Sequence, residues 1–156
     1  MVESGDPTRY FEHFARTTRH ESPLYASLST SIAGDRSILA LSSEMIERQP
    51  PANVLFGAVH FLVLRGADHP LADFYPTAGG HRPLDGSEFE LFRDFCAVHH
   101  DRLLPLLRTG RVQTNEVRRA AFLVPGLAWI ASRENKPLAT IEVGTAAGLL
   151  TLWDRY

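Results

Sequence analysis

The sequence is poor in sulfur and in lysine. Its 156 residues include a single cysteine, Cys96, and a single lysine, Lys136, against fifteen arginines. A lone cysteine cannot close an internal disulfide, which fits a reducing compartment. The lysine lies ahead of the one Gly-rich loop and not at its end, which excludes a P-loop. There is no Gly-x-Ser-x-Gly elbow for a serine hydrolase. Nor is there a Glu-x-x-His or His-x-x-x-His pair to place two metal ligands on one helix face. The formal charge of -2 gives no general attraction to nucleic acid or to acidic membranes. The first residues are polar and acidic where a secretory leader needs a basic end and an apolar run, so a cytoplasmic location is expected. The longest apolar stretch, residues 54–64, is too short to span a bilayer.

What remains is an ordinary globular composition, 44% apolar and 22% charged, long enough to bury one core without staples. Helix signals dominate. Asp6-Pro7 is a cap followed by proline in the first turn and opens a helix to about residue 20, with Tyr10, Phe11, Phe14 and Ala15 forming its apolar stripe. Ser22-Pro23 repeats the signal, with Leu24, Leu28 and Ile32 on one face and Gly34 as the stop. Asp35 caps a third helix through Ile38, Leu39 and Met45. Pro50-Pro51 then starts the most apolar helix, residues 52–65, ended by Gly66; apolar nearly all round, it is expected at the centre of the core.

Residues 66–86 are rich in glycine and proline, predicting a long loop with one helical turn at 70–75. Ser87-Glu88-Phe89-Glu90 matches a capping box, in which Ser87 serves the Glu90 amide and Glu90 reaches back. The helix that follows carries Phe89, Phe92, Phe95, Cys96, His99 and Leu103, and Pro105 is expected to kink or end it. Thr114 caps another, with Val117, Ala120, Ala121 and Val124 inward and Pro125 interrupting. The seven histidines lack metal-ligand spacing, so no metal is expected; His60, on the apolar helix, reads as a satisfied core or interface residue.

At Asn135-Lys136-Pro137 the pattern changes. Residues 138–143 are short, β-rich and bounded by turn signals, which predicts a buried strand. Gly144-Thr145-Ala146-Ala147-Gly148 follows, and residues 149–156 can continue as a helix. The expected architecture is therefore mainly α: a helical domain over 1–136, then one strand, a Gly loop and a helix over 137–156, the opening of an incomplete Rossmann-like α/β unit. Such a strand needs a partner for its backbone groups, and a parallel partner needs a crossover of a dozen or more residues. The chain is thus expected to be the front of something longer, or to pair with a second copy of itself, or to lay the segment on its helices as an extended tail.

The spacing Glu142-x-Gly144-x-x-x-Gly148 resembles the first motif of class I S-adenosylmethionine-dependent methyltransferases. The resemblance implies that Glu142 helps hold the amino acid part of the cofactor, that Gly144 and Gly148 let the backbone pass close to it, and that Thr145 belongs to the same cofactor-binding set. The usual middle glycine is Ala146 here. Four stretches are similar to a bacterial family, domain of unknown function family 2332: Ser22-Pro23-Leu24-Tyr25; Ala58-Val59-His60-Phe61-Leu62; Gln113-Thr114-Asn115-Glu116-Val117-Arg118-Arg119; and Glu142-Val143-Gly144 through Trp153-Asp154-Arg155-Tyr156. This resemblance implies a chain continuing into a methyltransferase-like domain, with the present 156 residues not competent as an enzyme alone.

Gln113 to Arg119 is the other polar concentration. If Thr114 caps a helix, Asn115 and Glu116 lie in its first turn with Arg119 one turn later. Such an end can receive a substrate carboxylate or phosphate; the alternative is a capped helix start with a solvated basic face and a Glu116–Arg119 pair. The resemblance implies that Thr114, Asn115, Glu116 and Arg119 face the cofactor cleft. Trp153 and Tyr156 add large aromatic surface to the final segment, and exposed surface of that kind promotes association. The competing expectation is thus a non-enzymatic helical module forming a homodimer through its final strand and helix.

Overall fold

The computed structural model describes residues 6–46, 49–112, 117–134, 136–144 and 148–155. The chain divides into two compact units, Met1–Val112 and Gln113–Tyr156.

The first unit is helical. α1 (Pro7–Thr18), α2 (Pro23–Ile32) and α3 (Arg36–Ser42) each begin as the sequence predicts. The Thr8 amide donates to Asp6 Oδ1 at 2.9 Å, the Tyr25 amide to Ser22 Oγ at 3.4 Å, and the Ser37 and Ile38 amides to Asp35 Oδ1 at 2.9 and 3.0 Å. These side chains satisfy amides that have no partner within their own helix. α3 stops at Ser42, short of the expected Met45, whose side chain still packs on the core.

α4 (Pro51–Leu64) is the central element, with eight buried apolar side chains, from Ala52 to Val63. Phe56 is its hub: its ring meets Phe11 and Phe14 of α1, stacks on Tyr25 of α2 at 4.6 Å, and meets Phe92 of α5 (Glu88–Val98) edge-on at 5.8 Å. The Tyr10 hydroxyl donates to Asn53 Oδ1 at 3.2 Å, tying α1 to the outer face of α4. Gly66, at φ +79°, ends α4 by turning left-handed, so that its amide reaches the Val63 carbonyl and the Ala67 amide the Leu62 carbonyl. The loop beyond contains 3₁₀ turns at Pro70–Phe74 and Pro76–Ala78.

The capping box at Ser87 does not form. The Ser87 hydroxyl instead donates to Asp85 Oδ1 at 2.6 Å, and Glu90 pairs with Arg93. The buried carboxylate at this helix start is Glu88: its Oε1 accepts from the Ser27 hydroxyl at 2.6 Å and its Oε2 from the Gly86 amide, ahead of the helix, at 2.9 Å. The break after α5 also comes earlier than expected, at His99, and α6 (His100–Thr109) runs through Pro105. A proline strands the carbonyl four residues back. Here that carbonyl belongs to Asp101, an exposed residue, where water can serve it.

In the second unit, α7 (Ala120–Arg133) follows a 3₁₀ turn at Val117–Arg119 and packs on that turn and on 3₁₀ turns over Leu149–Arg155, which break at Leu152. α7 likewise runs through its proline, Pro125, whose stranded carbonyl is that of exposed Ala121. Of the expected inward residues Ala120 is buried, Val124 half-buried and Ala121 exposed. The strand expected over residues 138–143 is not formed; among the described residues no strand pairs with it, and the Rossmann-like start is not built. Ile141 and Val143 are 93% and 94% exposed. Without a neighbour to accept the ladder, β-branched side chains alone do not make a strand.

Candidate functional site

The Gly144 motif sits in the second unit, on the chain that leaves α7. Gly144 has φ +76° and Gly148 φ +71°, a backbone region that side chains with a Cβ rarely adopt. At Gly144 an added Cβ would meet no atom within 4 Å. The glycine answers to backbone direction there, and the space beside it is open. Glu142 is half-buried; its Oε2 is shielded from solvent and, among the described residues, accepts no hydrogen bond. A shielded carboxylate oxygen without a donor is unfavourable unless something supplies one.

Thr145 lies outside the described residues, as do Thr114, Asn115 and Glu116. Arg119 ends the 3₁₀ turn ahead of α7 and is exposed. Of the arginines near it in sequence, Arg108 belongs to α6 and is engaged by Glu44, its Nη2 donating to Oε2 at 2.7 Å. α7 carries much apolar surface: Phe122 is 87% exposed and Trp129 57%, the latter under the Arg133 guanidinium at 4.1 Å.

A second constellation lies wholly in the first unit, and sequence reasoning missed it. His60, half-buried on α4, contacts Tyr25 Oη through Nδ1 at 3.3 Å and Thr77 Oγ1 through Nε2 at 2.6 Å. The Tyr75 ring lies 4.9 Å from the imidazole, and its buried hydroxyl interacts with the hydroxyl of Tyr25. Burial pushes the Tyr25 phenol up to about 12 and Tyr75 well above the ordinary range, and holds His60 below the usual histidine value. His60 is satisfied, as its place on an apolar helix suggested. Its neighbours come from two other places in the chain, α2 and the 75–77 segment, and no local spacing announces them.

His69 caps the Pro70–Phe74 turn: its Nδ1 accepts from the Leu71 amide at 3.1 Å, so its Nε2 carries the proton donated to Asp94 Oδ2 at 3.0 Å. Cys96 is buried, and desolvation raises its thiol to about 12, far from a reactive thiolate. Among the described residues no three His, Cys, Asp or Glu side chains converge on a possible metal position, and no helix is long and apolar enough to cross a membrane.

No curated protein and no solved structure matches the chain. A family model does, over residues 8–156: that of DUF2332, described as an uncharacterized protein conserved in bacteria. It spans both helical units, from α1 past the Gly144 turn, and the chain therefore belongs to this bacterial family.

Proposed function

We propose that residues 142–148 contribute to an S-adenosylmethionine site and that the protein is methyltransferase-like, its substrate unspecified. The observation that supports this reading is the shielded Glu142 oxygen, which accepts no hydrogen bond among the described residues, with left-handed glycines following at 144 and 148. The cofactor's amino acid end carries an ammonium group, a donor suited to Glu142 Oε2, and a charge-assisted bond of this type is worth about twice a neutral one. The open space at Gly144 leaves the backbone approachable. Glu142, Gly144, Thr145 and Gly148 would hold the cofactor, which supplies a methyl group on a sulfonium. Arg119, with Thr114, Asn115 and Glu116, would receive an anionic group of the substrate. The absent strand weighs on the other side, because a nucleotide cofactor normally rests at the ends of a multi-stranded sheet.

Calorimetric titration with S-adenosylmethionine and S-adenosylhomocysteine tests the reading. Binding that weakens about tenfold in Glu142→Gln, the loss of roughly one charge-assisted bond, and vanishes in Gly148→Val is the expected result. No heat at millimolar ligand, or unchanged binding in both variants, refutes it. A second reading has its own observation. The exposed Phe122, Trp129, Ile141 and Val143 suit a module that self-associates through the second unit. Sedimentation separates the two: a dimer that Phe122→Asp dissociates, in a protein blind to the cofactor, would favour association.

A further inference from the structure

We propose that Thr77, His60 and Tyr25 form a nucleophile, base and orienting group able to accept an acyl group from an activated ester. The three side chains stand in the order such a device requires. A nucleophile lies within hydrogen-bond reach of a base, and the base is held by a third group on its other nitrogen. Thr77 Oγ1 is 2.6 Å from His60 Nε2, and Tyr25 Oη is 3.3 Å from His60 Nδ1. In the tautomer that performs this role, Nδ1–H donates to Tyr25 Oη and Nε2 accepts from the Thr77 hydroxyl.

Each position suits its part. Thr77 is exposed, on a 3₁₀ turn between Pro76 and Gly79, so an ester can reach it. His60 is half-buried on the rigid α4, and its desolvation favours the neutral imidazole that a base must be at neutral pH. The titratable groups beside it are Tyr25 from α2 and Tyr75 from the segment joining the two 3₁₀ turns, both held protonated by burial. Tyr75 closes another side of the imidazole: its ring lies 4.9 Å from that of His60, and its buried hydroxyl interacts with that of Tyr25, the orienting group.

In the step itself, Thr77 Oγ1 forms a bond to the ester carbonyl carbon while its proton passes to His60 Nε2. The tetrahedral adduct collapses as the bond to the leaving oxygen breaks, and that oxygen takes the proton back from His60. Water, deprotonated by the same nitrogen, then hydrolyses the acyl-threonine. The amides following Thr77 are occupied within the turn: Ala78 and Gly80 donate to the Tyr75 carbonyl and Gly79 to that of Pro76. They are not free to stabilise an oxyanion in either half-reaction, so acylation needs an activated ester, whose leaving group departs far more readily than the Thr77 alkoxide; deacylation is then the slower step and the acyl-threonine accumulates.

The experiment is incubation of the full chain with p-nitrophenyl acetate, followed by mass spectrometry of the peptide containing Thr77. One acetyl group on Thr77 is expected, formed about 100-fold more slowly in His60→Gln, absent at that position in Thr77→Val, and forming faster as pH rises through the titration of His60. An unmodified Thr77, acetylation no faster than at exposed Thr17, or a rate indifferent to His60→Gln would overturn the proposal and leave the trio as a latch holding the turn to α4. Nitrogen NMR of the His60 ring gives a check independent of acylation: a proton on Nε2 rather than Nδ1 in the free protein would equally overturn it.

Discussion

Replacing Glu88 by glutamine tests whether the join between α2 and α5 depends on charge. The side chain is 4% exposed, and both carboxylate oxygens are engaged, by Ser27 Oγ and by the Gly86 amide. Glutamine preserves the volume and one carbonyl acceptor. The fixed Gly86 amide keeps that acceptor, while the Ser27 hydroxyl can rotate to accept from the new amide. What is lost is the charge in two bonds, and a bond to a charged group contributes about 1 kcal/mol more than a neutral one. The expected cost is therefore about 2 kcal/mol, or roughly 4–8 °C in Tm for a chain of this size. Glu88→Ala, which strands both donors, costs about 4 kcal/mol by the same reasoning. Burial opposes ionisation of Glu88, but the Ser27 hydroxyl and nearby amides outweigh it and hold its carboxyl below the usual range. A depressed folded value means that the stabilisation is present above the unfolded pKa of about 4.3 and is lost as pH falls through the folded one. The gap between wild type and Glu88→Gln should thus close on acidification. Urea unfolding followed by far-UV circular dichroism at neutral and acidic pH measures it; a gap below about 0.5 kcal/mol at neutral pH, or one indifferent to pH, refutes the reasoning.

Gly66→Ala should cost about 1 kcal/mol, because its Cβ meets nothing and the left-handed backbone alone is strained. Gly80→Ala should cost more, since its Cβ would collide with the Ala72 and Asp73 carbonyl oxygens; equilibrium unfolding of the two variants ranks them. Asp35→Ala removes the acceptor of the Ser37 and Ile38 amides and should lose about 1–2 kcal/mol in the same assay. Although burial opposes it, hydrogen bonding lowers the Asp35 carboxyl, so this loss too should fade as pH falls through the folded pKa. Cys96 should be inert to a disulfide reagent at about pH 8 in the native state and react at once in urea, its thiol being buried and raised to about 12; ready reaction in the native protein would show that α5 opens.

Features that depend on neighbouring residues were readable in the sequence. Asp6, Ser22 and Asp35 cap helices because a short polar side chain finds an amide two or three residues ahead, whatever the rest of the chain does. α4 was legible from its uninterrupted apolar run and from Gly66. Prediction failed where a distant group decides. Glu88 and not Glu90 is the carboxylate engaged at the start of α5, because Ser27 waits for it on α2, sixty-one residues away. Pro105 and Pro125 lie inside helices because exposure lets water take the carbonyls they strand. Residues 138–143 have strand composition but, among the described residues, no partner strand. For the candidate site, the glycine pair was legible from spacing and turns left-handed at both positions, whereas the meeting of Tyr25, His60 and Thr77 is a product of tertiary packing alone.

The central place of α4 has a consequence for synthesis. The ribosome delivers α1, α2 and α3 before the helix on which they pack, and Phe56 must arrive before Phe11, Phe14 and Tyr25 have a common partner. At about 5–20 residues per second, the stretch from Phe11 to the end of α4 takes roughly 3–11 s. Phe92 closes the cluster later still. During that interval the nascent chain exposes a row of aromatic rings beside the exit tunnel, where trigger-type chaperones work. Slow translation through residues 51–64 would lengthen that exposure, while a pause after α6, which brings the buried Leu103 and Leu107, would let the first unit close before the exposed apolar surface of α7 emerges.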